Sequence, residues 1–253
     1  MVGNGSSPAS HIALVDLDRG VVSRVTPEGI SASEQLWSPD GRSVAYVEDS
    51  RRSAIVVQSL VDETRHEYVT NDPSFKSLDG WTPEGRSIIY ERLDSATKWD
   101  IWLLPLEGSE APRPLVHSPT NEERSSLSPD GRWLAYHGDE SGTNEVYVLP
   151  FGAQGMRYQV TNGGGSFPLW RRDGTGLTFY DPRRANSIMQ ADLKPGAELS
   201  LGAPRELGRV PDDLNGADFS RDGKRLLTLR PAEKSRPQSI TVLQNWTSAL
   251  RKP

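Results

Sequence analysis

The sequence predicts an all-β fold, a β-propeller of four-stranded antiparallel blades. Three observations predict it. A ten-residue phrase recurs five times: WSPDGRSVAY (37–46), WTPEGRSIIY (81–90), LSPDGRWLAY (127–136), WRRDGTGLTF (170–179) and FSRDGKRLLT (219–228). Successive copies start 44, 46, 43 and 49 residues apart, a period that suits a four-stranded blade or a two- to three-helix repeat. The phrase decides for strands. Pro presets φ, Asp bonds its own backbone and Gly accepts positive φ, so Pro-Asp-Gly is a turn. The runs after it, such as Ser43-Val44-Ala45-Tyr46 and Ser87-Ile88-Ile89-Tyr90, are strand chemistry. Finally, 23 glycines and 19 prolines make the chain rich in turns, and its apolar residues arrive in short regular bursts.

Each blade element follows from the phrase. Strand A, the innermost, precedes the turn and ends on a large apolar residue: Trp37, Trp81, Leu127, Trp170 or Phe219. Strand B follows the turn. Strand C follows a polar hairpin loop, with copies at 12–17, 54–60, 100–106, 145–151, 187–193 and 239–245. Strand D is shorter and more polar, at 21–26, 65–70, 113–117, 157–161 and 204–208, as an outer edge exposed to water should be. Six C strands against five of each other kind leave one extra N-terminal strand. One arrangement closes the ring by laying 21–26 beside 239–245, which leaves 12–17 over. The preferred expectation is that the chain is a piece of a longer, six- or seven-bladed propeller. The expected layout is a disordered N-terminus at 1–10, the propeller at 11–245, and a tail or short helix at 246–253.

Bulk composition excludes several functions. There are 29 basic and 34 acidic residues, a formal charge of −5, so no basic footprint for nucleic acid exists. The absence of cysteine removes disulfides, zinc fingers and thiol catalysis, and leaves the redox compartment open. No run approaches the length of a membrane span, and the first residues lack the pattern of a signal peptide.

The repeated Trp-Ser-Pro-Asp-Gly-Arg phrase, cleanest at 37–42 and 128–132, resembles the WD40-like propeller repeat of the TolB family. The same repeat occurs in propellers of prolyl-oligopeptidase-type peptidases. The resemblance covers about 11–245, and its last two copies depart from it at Arg171-Arg172 and Ser220-Arg221. The C-terminal half, with Asp130–Tyr136, Glu145-Val146-Tyr147-Val148, Gly163-Gly164-Gly165-Ser166 and Asn245-Trp246, is similar to the C-terminal propeller of bacterial eukaryote-like serine/threonine kinases. These resemblances imply an extracytoplasmic setting and a sensing or interaction module. No kinase catalytic motif is present to carry over.

The chemistry-bearing residues were weighed against structural roles. Asp40-Gly41, Glu84-Gly85, Asp130-Gly131, Asp173-Gly174 and Asp222-Gly223 recur at one position, which invites a metal ring. Asp before Gly is explained by the turn, so these are expected as turn residues. Trp37, Trp81 and Trp170 are expected as wedges between sheets. Trp99-Asp100 looks like the dipeptide of classical propellers and occurs in one copy, which suggests coincidence. Gly163-Gly164-Gly165-Ser166 lacks the partners of a phosphate loop or a nucleophile turn, and is expected to be a tight connection. His11, His66, His117 and His137 show no metal-ligand spacing.

The remaining candidates lie between strands D and A, at one mouth of the channel that a propeller encloses. They are Glu34, Gln35, Lys76, Asp79, Glu123, Arg124, Phe167 and Asn215. Mixed charge with one aromatic suits a protein or peptide partner, with a small ligand as a further option. The expected function is a non-enzymatic binding scaffold without cofactor or metal. The alternatives are the gating propeller of a serine peptidase without its hydrolase domain, and a carbohydrate-binding module.

Overall fold

The computed structural model describes residues 10–16, 18–49, 53–68, 73–152, 156–184, 187–194 and 199–209, and the strand backbones at 216–219, 225–229 and 241–244. Asn215, Asp222 and Gly223 lie outside the described residues, as do 1–9 and 245–253. The described structure is strand throughout, apart from one short 3₁₀ turn at Pro182–Arg184. The chain divides into two compact units, 1–121 and 122–253.

The first unit begins with a hairpin, β1 (Ala13–Asp16) against β2 (Val21–Arg24). The 21–26 segment therefore pairs with its own neighbour in sequence, so the 12–17 strand is not left over as that arrangement expected. A four-residue connection favours this local partner over a distant one, because closing a short loop costs little entropy. Two four-stranded antiparallel meanders follow. The first is β3 (Ala32–Trp37), β4 (Ser43–Glu48), β5 (Ala54–Ser59) and β6 (Arg65–Tyr68). The second is β7 (Lys76–Trp81), β8 (Ser87–Asp94), β9 (Lys98–Pro105) and β10 (Arg113–Val116).

Alternation along β4 explains the packing. Val44 and Tyr46 join Ile12, Ala32 and Val56 in a core against the hairpin. Ala45 and Val47 face the other way and join Ile55, Leu78, Ile88, Tyr90 and Leu104 between the two meanders. A strand buried on both faces reads as a nearly continuous apolar run, and that is why the run after each turn is apolar throughout.

The second unit contains β11 (Glu122–Leu127), β12 (Trp133–Gly138), β13 (Glu145–Pro150) and β14 (Tyr158–Gln159) as its first meander. Next come β15 (Ser166–Trp170), β16 (Gly176–Asp181) and β17 (Ser187–Lys194), whose outer edge takes β19 (Arg205–Arg209) along one half and β18 (Ser200–Leu201) along the other. Three strands, β20 (Gly216–Phe219), β21 (Arg225–Leu229) and β22 (Thr241–Gln244), form the last described sheet. Trp133, Ala135, Val146, Val148, Trp170, Leu177, Phe179 and Met189 interlock between the first two sheets of this unit.

The aromatic slot at the end of strand A is not uniform. Trp170 is 5% exposed in that core and Trp81 packs partly against the first unit's core. Trp37 is 56% exposed, which corrects its expected role as a wedge. Within its unit, the neighbour on that side is the hairpin, whose strands are only four residues long.

Candidate functional site

The turn end of the sheets is built by a repeated hydrogen-bond device. Ser38 Oγ donates to Asp40 Oδ1 at 2.6 Å, and that oxygen also accepts the Arg42 N–H at 3.0 Å. Ser128 and Asp130 repeat it at 2.6 Å, with the Arg132 N–H at 3.1 Å. Gly41, Gly85, Gly131 and Gly174 close these turns at φ between 69° and 73°. In the second copy, Thr82 Oγ1 accepts the Ser87 N–H at 3.2 Å. In the fourth, Asp173 accepts from Thr175 and pairs with Arg171 at 2.6 Å. The Asp40 carboxyl is held below its ordinary range, chiefly by the Ser38 hydroxyl. Burial raises the Asp130 carboxyl, but the Ser128 and Arg132 hydrogen bonds outweigh it. These carboxylates are consumed by their own turns.

A second recurring device ties strand C to strand D or to the residues after it. Asp100 is fully buried, accepts the Thr97 hydroxyl at 2.7 Å, and stands 3.0 Å from His117 Nδ1. At the matching place Glu145 accepts the Thr161 hydroxyl at 2.5 Å and the Gly163 N–H at 2.6 Å. Ser187 donates to Glu206 at 2.8 Å in the next sheet. The Trp99-Asp100 pair therefore belongs to a structural pattern, and His117 to its partner set. The glycine run is equally engaged, since Gly163 binds Glu145 and the Gly165 N–H donates to the Asn144 carbonyl at 2.8 Å.

The opposite end of strand A holds the candidate binding residues. Four inner strands, β3, β7, β11 and β15, carry an irregularity in their register against strand B, whereas β20 pairs with β21 without one. Three residues before Trp37, Leu127 and Trp170 stand Glu34, Arg124 and Phe167, with φ of 57°, 54° and 54°. None is glycine, so each holds a left-handed conformation at a cost of about 1–3 kcal/mol. A bulge turns a strand locally and re-aims its side chain. Here all three point to water: Glu34 and Arg124 are exposed and Phe167 is 56% exposed. Leu78, at the equivalent place in the second sheet, is buried and its irregularity is shifted to Leu78–Gly80.

In the first unit, Ser77 Oγ donates to Glu34 Oε2 at 2.8 Å, which links neighbouring sheets. Gln35 is exposed and Asp79 half-buried. Lys76 is only 4% exposed and donates to the Ser74 carbonyl at 3.0 Å. It lies at the start of β7, not in the loop where the sequence placed it.

In the second unit, the structure gathers Glu123, Arg124 and Phe167 around two residues that sequence did not nominate, His137 and Tyr180. The Arg124 guanidinium lies 5.7 Å from the Phe167 ring centre. The Tyr180 ring meets Phe167 edge-on at 6.5 Å, and the His137 ring lies 5.6 Å away. His137 is 4% exposed; its Nδ1 accepts the Phe167 N–H at 3.4 Å and its Nε2 lies 3.7 Å from Glu123 Oε2. The missed signal was the hairpin register. The turn at Asp130-Gly131 brings Glu123 opposite His137. The patch presents an exposed ring, a cation and a carboxylate on adjacent strands. Among the described residues no group of three or more His, Asp or Glu could hold a metal ion, and no helix is long and apolar enough to cross a membrane.

Comparison with known proteins agrees with this architecture. The family model described as the TolB beta propeller domain matches residues 6–208. The TolB structure from Acinetobacter baumannii superposes with a TM-score of 0.67 at 20% identity, covering 92% of this chain and 56% of that one. A TolB-type structure from Agrobacterium tumefaciens gives 0.65 at 19% identity, covering 94% and 84%. The uncharacterized peptidase YuxL of Bacillus subtilis is 24% identical over 239 residues, covering 85% of this chain and 32% of its own. The chain spans about a third of the length of the curated relatives it matches, 37% and 32%. With its repeated turn phrase, its four-stranded meanders and a family match over most of its length, this chain belongs to the TolB β-propeller family.

Proposed function

We propose that this domain is a non-enzymatic binding module, and that the patch of Glu123, Arg124, Phe167 and Tyr180 docks an extended peptide segment of a protein partner. The observation that carries the reading is the repeated left-handed residue on strand A. A fold that holds Arg124 and Phe167 strained and exposed needs a reason beyond its own stability, and presentation to a partner supplies one. A peptide fits better than a small molecule, because the patch is open and combines one ring with both signs of charge. The ring takes an apolar side chain, Arg124 an acidic group and Glu123 a basic group or backbone N–H. In the other unit Glu34 occupies the same strand position, and Gln35 and Asp79 stand one residue later on their strands and extend the repertoire of side chains. A sensing role, as in the kinase-linked propellers the sequence resembles, is part of this proposal.

The test is selection of a phage-displayed random peptide library on the immobilised full chain, followed by affinity measurement on Arg124→Ala and Phe167→Ala. Loss of about tenfold or more in each variant supports the reading. Peptides that bind both variants as tightly as the parent overturn it.

The likeness to YuxL favours one alternative, that the domain is the propeller of a peptidase. That reading predicts that the domain governs access to a hydrolase domain and binds peptides only in passing. Tight peptide binding by the isolated chain counts against it.

A further inference from the structure

Resting on the reading of this patch as a binding site, we propose that His137 is a proton-operated latch: its neutral imidazole holds Phe167 in the left-handed presentation, and its protonation releases the ring.

The argument starts from hydrogen-bond direction. Nδ1 of His137 accepts the N–H of Phe167, so that nitrogen carries no proton and the ring is neutral with hydrogen on Nε2. Protonation puts a second N–H on Nδ1, and two donors then face each other at 3.4 Å. The imidazole is 4% exposed, so water has little room to intervene. The amide that loses its acceptor belongs to a residue already held at φ 54°. Removing its tether lets the backbone relax toward the extended conformation that a non-glycine residue prefers.

The surrounding charges set how the latch responds. On β11 the charged groups are Glu122, Glu123 and Arg124, and Glu123 stands opposite His137. Glu123 Oε2 lies 3.7 Å from Nε2 and becomes an ion-pair partner once the ring is charged. On β13, the Glu145 carboxylate is taken up by Thr161 and Gly163, and Tyr147 is the other titratable group. On β15, the segment Ser166–Trp170 carries no titratable side chain. On β16, behind Phe167, stand Tyr180 and Asp181. Glu123 thus attracts the charged ring at Nε2, the nitrogen that does not face the Phe167 amide. Acid weakens the patch and neutral pH restores it.

The experiment is a pH titration of the full chain by NMR, from about pH 8 to about pH 5, the span in which histidines change charge. The Phe167 amide is expected to follow the His137 ring with the same midpoint. Its hydrogen-exchange protection, corrected for intrinsic rate, should fall about three- to tenfold, the value of one hydrogen bond. His137→Asn keeps an acceptor near the Nδ1 position without a titratable ring. It should hold the Phe167 amide protected at every pH. Library-selected peptides should bind the parent about three- to tenfold more weakly at low pH and the Asn variant equally at both. A His137 ring that titrates while the Phe167 amide stays unchanged overturns the latch. If the amide responds but no selected peptide depends on Phe167, the latch stands and the binding reading fails.

Discussion

His137 and Phe167 are joined through Nδ1 and a backbone amide at 3.4 Å, across the boundary between two adjacent sheets of the second unit. One residue is buried and the other exposed, so the buried one fixes how the exposed one is shown. The other recurring ties of the structure differ from this one. They run within a sheet, and their disruption should read out in stability.

Asp100 makes one of these ties. Its carboxylate is fully buried and holds Thr97 and His117. Asp100→Ala removes the acceptor of the Thr97 hydroxyl and the carboxylate beside His117, and is expected to cost about 1–3 kcal/mol in urea denaturation. A double-mutant cycle with His117→Ala should show a coupling of about 0.5 kcal/mol or more, since the residues touch.

The turn acids should be unequal. Asp130 accepts the Ser128 hydroxyl and the Arg132 N–H, so Asp130→Ala should cost about 1 kcal/mol. Glu84→Ala should stay within about 0.5 kcal/mol, because Thr82 already serves the equivalent turn. Burial raises the Asp130 carboxyl, but the Ser128 and Arg132 hydrogen bonds outweigh it and hold the group below the ordinary carboxylate range. Its contribution is therefore present at neutral pH and lost as pH falls through the carboxylate range. The stability gap between parent and Asp130→Ala should narrow in acid.

Gly176 is fixed by contact. A Cβ there would lie 2.4 Å from the Ala191 carbonyl oxygen on the paired strand. Gly176→Ala must push β16 from β17 and should lower stability by about 1–3 kcal/mol, measured by thermal or denaturant unfolding.

Tyr136 should be silent at ordinary alkaline pH. Burial pushes its hydroxyl up to about 12, against the opposing pull of Arg157, whose Nη1 donates to it at 3.3 Å. The folded state keeps the proton where the unfolded chain releases it. The associated stability is complete below about pH 10 and is lost as pH rises toward about 12. Tyrosinate absorbance followed against pH should show one residue that titrates only near that value or with unfolding. Tyr136→Phe should remove this step.

Much of the fold was legible because it rests on local chemistry. The turn phrase marks β4, β8, β12 and β16 directly, and the apolar runs follow from burial on both faces. The candidate patch was legible in part: Glu34, Arg124 and Phe167 were nominated as loop residues and are found on strand A. Nothing in their side chains signals positive φ, because the strain is imposed by the register of the partner strand. His137 was missed because its role depends on an amide 30 residues away. The exposure of Trp37 was not legible because the same residue type in the same slot is buried at Trp170 and exposed at Trp37, according to which neighbouring sheet stands beside it.

The central claim is that the domain binds through the bulged end of strand A. The most direct measurement is an amide-resonance map of the full chain titrated with a library-selected peptide. The account predicts that the shifted resonances cluster at Glu123, Arg124, His137, Phe167 and Tyr180. Shifts confined to the turns at Asp40, Asp130 and Asp173, with those five unmoved, would contradict it.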